Sequence, residues 1–280
     1  MLTLWSQGTR GETTIGSNAH YVIFRMETAT RGAQLVAHTA RVLRALATAP
    51  ADGLRIMELA KITALERATV TRILRVLCAE GLASVVGPSA RQYVLGPLTF
   101  ELGLVAGRRF PVREIAAPSL DRLATLTGDT CFLMVRSGSD AVCIDSREGA
   151  YAVKALTSGI GARRTMGAAA SSIALLMNLP EAEVDAHVAA NASRIEQYGM
   201  LTGAVVRRMV QRARKLGYAL NHENILPEVS AVGVAIPAPV GAPFAALSVS
   251  ALTSRLMPDN RFEQVVKWLR EEASAIAAQI

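Results

Sequence analysis

Residues 58–83 read ELAKITALERATVTRILRVLCAEGLA, and the fold class turns on where their apolar positions recur. Val70, Ile73, Leu74 and Leu77 fall at i, i+3, i+4 and i+7, one stripe of a helix that faces a core. At 3.6 residues per turn Arg72 and Arg75 point away from that stripe and Thr71 lies on its flank, while Arg67 and Thr69 sit near the helix start. Just upstream, RIMELAKIT predicts a short amphipathic helix through Ile56, Leu59, Ala60 and Ile62, tied to the first by Ala64-Leu65-Glu66. Two short helices joined by a few residues form a helix-turn-helix. Before them Leu35, Val36, Val42, Leu43, Leu46 and Ala47 recur at helical spacing until Ala49-Pro50 and the Asp52-Gly53 turn. After them Glu80-Gly81 is a helix stop. Two strand-like runs, LASVV and RQYVL, then flank GPSA, a hairpin with Gly87, Pro88 and Ser89 at its tip and Arg91 beside it. Three helices and a hairpin predict a winged helix.

The outward face of the 67–79 region is short, polar and cationic, which suits a duplex groove. Arginine forks fit guanine edges or phosphates, threonines fit phosphates or thymine methyls, and a helix start attracts phosphate. Charge placement agrees. The chain carries 30 basic and 23 acidic residues, a formal net charge of +7. Residues 31–110 alone hold 11 basic against 5 acidic, whereas 111–280 hold 17 against 16, so the excess sits on the first folded segment. The candidate DNA-contacting residues are Arg67, Thr69, Thr71, Arg72, Arg75 and Arg91.

At 280 residues and 51% hydrophobic content, two folded domains are expected and a mainly disordered chain is excluded. Cys78, Cys131 and Cys143 show no metal-ligand or redox spacing, and no metal or cofactor is expected. Cysteine usage of this kind fits a reducing cytoplasm. Residues 229–254 carry no charge, but Pro237, Pro239 and Pro243 with Gly233 and Gly241 would break a spanning helix. Two buried strands joined by a turn are expected there, and no membrane. The first 25 residues lack a signal-peptide core; they are expected to be a flexible tail, with Met26 as a second candidate start.

The stretch 58–83, followed by RQYVLGPLTFELG, resembles the DNA-binding domain of IclR-type bacterial transcriptional regulators. The Thr-Val-x-Arg of that family's recognition helix stands here as Thr69, Val70, Thr71 and Arg72, and the wing ends in Tyr93, Leu95 and Gly96. Departures are Ala64, where relatives often have glycine, and Glu66, where they often have proline; Glu66 puts an acid near the phosphate-facing helix end. The resemblance implies an α+β chain in four parts: a tail at 1–32, a winged helix-turn-helix at 33–97, a linker helix at 98–112 that helps pair subunits, and a GAF-like effector-binding domain at 113–280, an antiparallel sheet flanked by helices. The patterns beyond Pro111 fit: an amphipathic helix over PVREIAAPSLDRLATLTG, strands TCFLMVR, AVCIDSR and YAVKALT, helices near 168–178, 181–189 and 201–216, strands within 229–236 and 244–251, and a last helix from Arg261.

The resemblance also places an effector pocket beside Asn221, Ala231, Ser248 and Ser250, with a small-residue wall from Gly161-Ala162 and the GAAASS run. Ser248 and Ser250 share one face of a strand, and hydroxyls with an amide and the helix start after Gly167 can meet a carboxylate or hydroxyl. The implied partners are double-stranded operator DNA, a small organic or aromatic acid, and further copies of the chain as a homodimer or dimer of dimers. The alternative is an enzyme or small-molecule-binding module with an incidental helix-turn-helix. It has no support from motifs: H-E-x-x-H, G-x-S-x-G, P-loop and dinucleotide fingerprints are absent, and His20, His38, His187 and His222 are dispersed.

Overall fold

The computed structural model describes residues 33–87, 91–108, 111–155, 158–238 and 241–280. The expected tail, the tip residues Pro88 and Ser89, and Arg109 and Phe110 lie outside them. The first part runs α1 (Ala33–Leu46), β1 (Leu54–Arg55), α2 (Ile56–Thr63), α3 (Arg67–Ala79), β2 (Ala83–Val86), β3 (Gln92–Leu95) and α4 (Pro97–Gly107). It continues with α5 (Val112–Thr127), β4 (Thr130–Ser137), β5 (Asp140–Arg147), β6 (Arg163–Thr165), α6 (Ala170–Leu176), α7 (Glu181–Ala190), α8 (Ala192–Ile195) and α9 (Gly203–Leu216). β7 (Ala219–His222), β8 (Val229–Ala235), β9 (Ala245–Leu252), α10 (Thr253–Leu256) and α11 (Asp259–Ala277) complete it.

The N-terminal part has its own core, in which Val42, Leu46, Leu54, Leu59, Val70, Ile73, Leu74, Leu77 and Ala83 are buried together. All four stripe residues of α3 are therefore inside. Leu35 and Val36 are exposed instead, one turn too early on α1 to reach α2 or α3, and Ile62 is on the outer side of α2. The hairpin β2–β3 gains a third strand, because β1 pairs antiparallel with β3 through Leu54 opposite Tyr93. That contact needs Gly53, whose Cβ would stand 2.9 Å from the Tyr93 carbonyl oxygen.

The C-terminal part is a six-stranded sheet in the order β6-β5-β4-β9-β8-β7, antiparallel throughout. One face packs on α6 and α9 around Phe132, Met134, Ile173, Leu176 and Val206. The other packs on α5 and α11 around Leu120, Leu133, Val249 and Leu269. The charge-free run becomes β8 and β9, and no described helix is long and apolar enough to cross a membrane.

One expected strand is absent. Residues 151–155 of YAVKALT form no strand, and 156–157 lie outside the described residues. The Lys154 ammonium turns back onto the Gly149 carbonyl, and the place beside β5 is taken by β6, which pairs through Asp140 opposite Thr165. Cys131 and Cys143 are free and buried. Their register, Cys131 opposite Arg147 and Cys143 opposite Met134, keeps them apart, and burial pushes the two thiols up to about 12 and about 11.

Candidate nucleic-acid interface and effector cavity

Helix α3 presents Arg67, Arg72 and Arg75 to solvent, with Thr69 and Thr71 half-buried beside them. The separation follows from the helical period, since Val70, Ile73, Leu74 and Leu77 occupy the opposite face. Thr71 Oγ1 donates to the Arg67 carbonyl at 2.8 Å, so its hydroxyl proton is committed and its lone pairs alone face outward. Among the described residues none of Arg67, Arg72, Arg75 or Arg91 forms an ion pair. Their charge is available to an external anion. Glu66 occupies the N-cap position of α3 without making a side-chain cap hydrogen bond. Arg91 stands exposed at the start of the returning wing strand. The basic helix α9 behaves differently, because Arg207 pairs with Asp185 at 2.5 Å and Arg214 with Glu181, which turns part of its charge inward onto α7.

In the C-terminal part, Asn221, Ala231, Ser248 and Ser250 line one cavity of about 30 Å3 with Phe132, Met134 and Ser171. Sheet register brings them together: Asn221 faces Ala231, Ala231 faces Ser250, and Phe132 faces Ser248 across adjacent strands, so their side chains share a face. The cavity has room for a water or two; a ring-sized ligand requires its walls to move outward. Asn221 is partly committed, since its Nδ2 donates to the Ala168 carbonyl at 2.6 Å and its Oδ1 accepts from Asn224 N at 3.2 Å. That leaves one donor hydrogen and one lone pair for a ligand. The small-residue wall comes from Ala169, Ala170 and Ser171 at the start of α6, where Ser172 Oγ accepts from the Gly167 and Ala169 amides at 3.1 Å each.

Gly161 and Ala162 do not line this cavity. They form a turn against β5, in which Gly161 N donates to the Cys143 carbonyl at 2.8 Å and Cys143 N donates to Ala162 at 2.9 Å. A Cβ at Gly161 would stand 3.3 Å from the Ala47 carbonyl. Sequence reasoning missed Phe132, Met134 and Ser158. The alternation in TCFLMVR places the first two on one face, but nothing in it says which face is hollow.

Helix α4 buries none of its residues. Phe100, Leu102, Leu104 and Val105 are each more than half exposed, and Phe100, Gly103, Leu104 and Gly107 border a groove of about 680 Å3 whose far wall includes Val135 and Ile144.

A family model described as the IclR helix-turn-helix domain matches residues 35–87, and one described as the bacterial transcriptional regulator IclR C-terminal domain matches 106–278. The HTH-type transcriptional repressor AllR of Klebsiella pneumoniae is 29% identical over 214 residues, covering 76% of this chain and 77% of that protein. A solved IclR-type regulator from Silicibacter superimposes with a TM-score of 0.75 at 23% identity, over 88% of this chain and 95% of the other. An IclR homologue from Microbacterium hydrocarbonoxydans, solved in complex with 4-hydroxybenzoate, gives 0.68 at 21% identity over 87% and 98%. At such identities the two structures establish a shared fold.

Proposed function

The chain belongs to the IclR family of bacterial transcriptional regulators, with a helix-turn-helix DNA-binding part and a C-terminal effector-binding part and no enzymatic role, and from that premise we propose how it reads DNA and what it senses. Arg67, Thr69, Thr71, Arg72 and Arg75 of α3 enter the major groove of a pseudo-palindromic operator, and Arg91 of the wing reaches the flanking backbone. The observation that carries this reading is the row of arginines on α3 with no acidic partner among the described residues, set beside a hairpin. Replacing Arg72 or Arg75 by alanine should weaken operator binding by about 1–3 kcal/mol each. Gel-shift titration against the chain's own upstream region checks it; unchanged affinity in both variants would remove the assignment.

The effector is a small organic or aromatic acid held in the cavity of Asn221, Ala231, Ser248 and Ser250, in keeping with the 4-hydroxybenzoate complex of the Microbacterium homologue. The domain limits are those expected from the sequence, 33–97, 98–112 and 113–280, and the site of action is the cytoplasm. The working form is a homodimer or dimer of dimers paired along α4. A fully solvated apolar helix is unfavourable, and α4 is apolar nearly all round. Gly103 and Gly107 each cost helix stability relative to alanine, yet no atom lies within 4 Å of a Cβ placed at either. Glycines spaced by four let two helices approach closely, which gives both residues a reason in a dimer that the single chain does not supply. Glu101, near the middle of α4, and Arg108, just past its C-terminal end, both without ion-pair partners among the described residues, complement each other across an antiparallel pair centred between them.

A further inference from the structure

Two buried hydroxyls in the effector-binding part have no hydrogen-bond partner among the described residues, and the register of the sheet sets them side by side. Ser250 Oγ on β9 and Thr130 Oγ1 on β4 are both fully shielded and both unpaired there; the residues are 2% and 1% exposed. Thr130 is directly opposite Ser250 in the β4–β9 ladder, and directly opposed residues project to the same face. Thr130 also shares its face with Phe132 and Met134, two and four residues on, which line the cavity. A four-strand row results, Asn221, Ala231, Ser250 and Thr130, running from β7 to β4; the first three border the cavity and Thr130 stands just outside it, beside Ser250.

Several other buried hydroxyls of this fold find partners within the chain. Ser230 Oγ and Thr253 Oγ1 lie 2.9 Å apart, Thr127 Oγ1 donates to the Leu123 carbonyl at 2.7 Å, and Ser172 Oγ serves three backbone groups. Thr130 and Ser250 could have bonded each other across the ladder and do not. Leaving a buried hydroxyl unpaired is unfavourable, and the strand start is held in place, since Asp129 receives Arg255 at 2.8 Å and Arg261 at 2.5 Å. The arrangement is fixed and unsatisfied at once, as a binding subsite is before its ligand arrives.

We infer that Thr130 and Ser250 together form a subsite for an uncharged oxygen of the effector, and that Thr130 is a specificity-determining residue. Among the described residues no ionisable side chain lines the cavity, so an ionised group placed at the hydroxyl pair would be buried without a counter-charge. A hydroxyl or carbonyl oxygen fits instead, because each side-chain hydroxyl can both donate and accept. The inference rests on the small-acid reading of the cavity and narrows it: the effector is a hydroxy or oxo acid, with its second oxygen on the Thr130 side.

The test titrates the full-length protein by calorimetry with two matched pairs, 4-hydroxybenzoate against benzoate and lactate against propionate. The wild type should favour the oxygenated member of at least one pair about tenfold or more. Thr130→Val should erase that preference while leaving the affinity for the unoxygenated member unchanged; Ser250→Ala should erase it too, with weaker binding of both members. Without ligand, both variants should melt at or above the wild-type temperature, since the hydroxyls removed had no partner in the fold. Preference retained in both variants, or Thr130→Val melting well below wild type, would overturn the subsite. Equal wild-type binding of both members of each pair defeats this inference alone, whereas binding of none of the four defeats the small-acid reading with it.

Discussion

The α-carbon of Gly96 stands against the carbonyl oxygen of Gly81: a Cβ there would lie 2.2 Å from that oxygen and 2.8 Å from the Ala83 nitrogen. The contact closes the joint between wing and α4, where Gly96 N donates to the Leu82 carbonyl and Leu98 N to the Gly81 carbonyl, each at 3.0 Å. Backbone cannot yield as a flexible side chain can. Gly96→Ala should therefore cost about 2–3 kcal/mol. Gly81→Ala should cost about 1 kcal/mol, because Gly81 has a left-handed φ of +71° but a Cβ there would meet only Leu98 Cβ, at an ordinary contact distance of 3.6 Å. Urea unfolding of both variants checks the order, and a larger effect at Gly81 would contradict it.

Ala64 ends α2 in the left-handed region, at φ 51° and ψ 41°, a conformation that a residue with a Cβ adopts at a cost. The tight helix-turn-helix angle demands it, since Leu65 must turn its backbone N–H back to the Ala60 carbonyl at 3.2 Å. Ala64→Gly should stabilise the protein by about 0.5–1 kcal/mol, after allowing for glycine's greater freedom in the unfolded chain. Thermal melting would reveal the gain, and DNA affinity should be unchanged because Ala64 offers no polar side chain to the duplex.

Where the sequence pattern is periodic and the segment long, it determines the element. The stripe from Val70 to Leu77 is buried as its spacing requires, and the proline-bearing charge-free run divides into β8 and β9. YAVKALT misleads because β-branched and aromatic residues favour a strand only where a neighbour offers an edge, and β6 occupies that edge. The candidate effector cavity is partly legible. Ser248 and Ser250 share a face by simple alternation, whereas the nearness of Thr130 to Ser250 depends on the register of two strands separated by more than a hundred residues. No local pattern encodes that pairing, which is settled by which face each strand buries. Gly161-Ala162 illustrates the converse: small residues permit close packing wherever it occurs, and here it occurs against β5.

Arg122 on α5 forks onto Glu272 of α11, with Nε 2.8 Å from Oε1 and Nη2 2.6 Å from Oε2. The hydrogen bonds from Arg122 hold the Glu272 carboxyl below the usual glutamate range, outweighing the opposing effect of burial. Because the folded-state value is the lower one, the stabilisation is complete above the ordinary glutamate pKa and is lost as pH falls through the folded value. The Arg122 side chain is 53% exposed, so screening limits the pair to about 1 kcal/mol. Glu272→Gln should be less stable than wild type by about that amount at pH 7, with the gap closing as the pH falls below 4. A gap that widened with acid would mean that the pair does not behave as a fork between charged partners.

The proposed pairing along α4 predicts that bulk at its glycines acts on assembly before it acts on folding. In the single chain both positions face open space, and replacing glycine by leucine improves intrinsic helix propensity by up to about 1 kcal/mol. Gly103→Leu and Gly107→Leu should thus leave a folded protein with unchanged helix content, yet force two α4 helices apart and drive the species toward monomer. Gly103→Ala should be milder, because a methyl group permits a nearly close crossing. A monomer presents one recognition helix, so operator affinity should fall as steeply as in the arginine variants, although α3 is untouched. Light scattering coupled to size exclusion, read beside gel shifts on the same preparations, separates the cases: a dimer unperturbed by both leucine variants would place the subunit seam elsewhere than at Gly103 and Gly107.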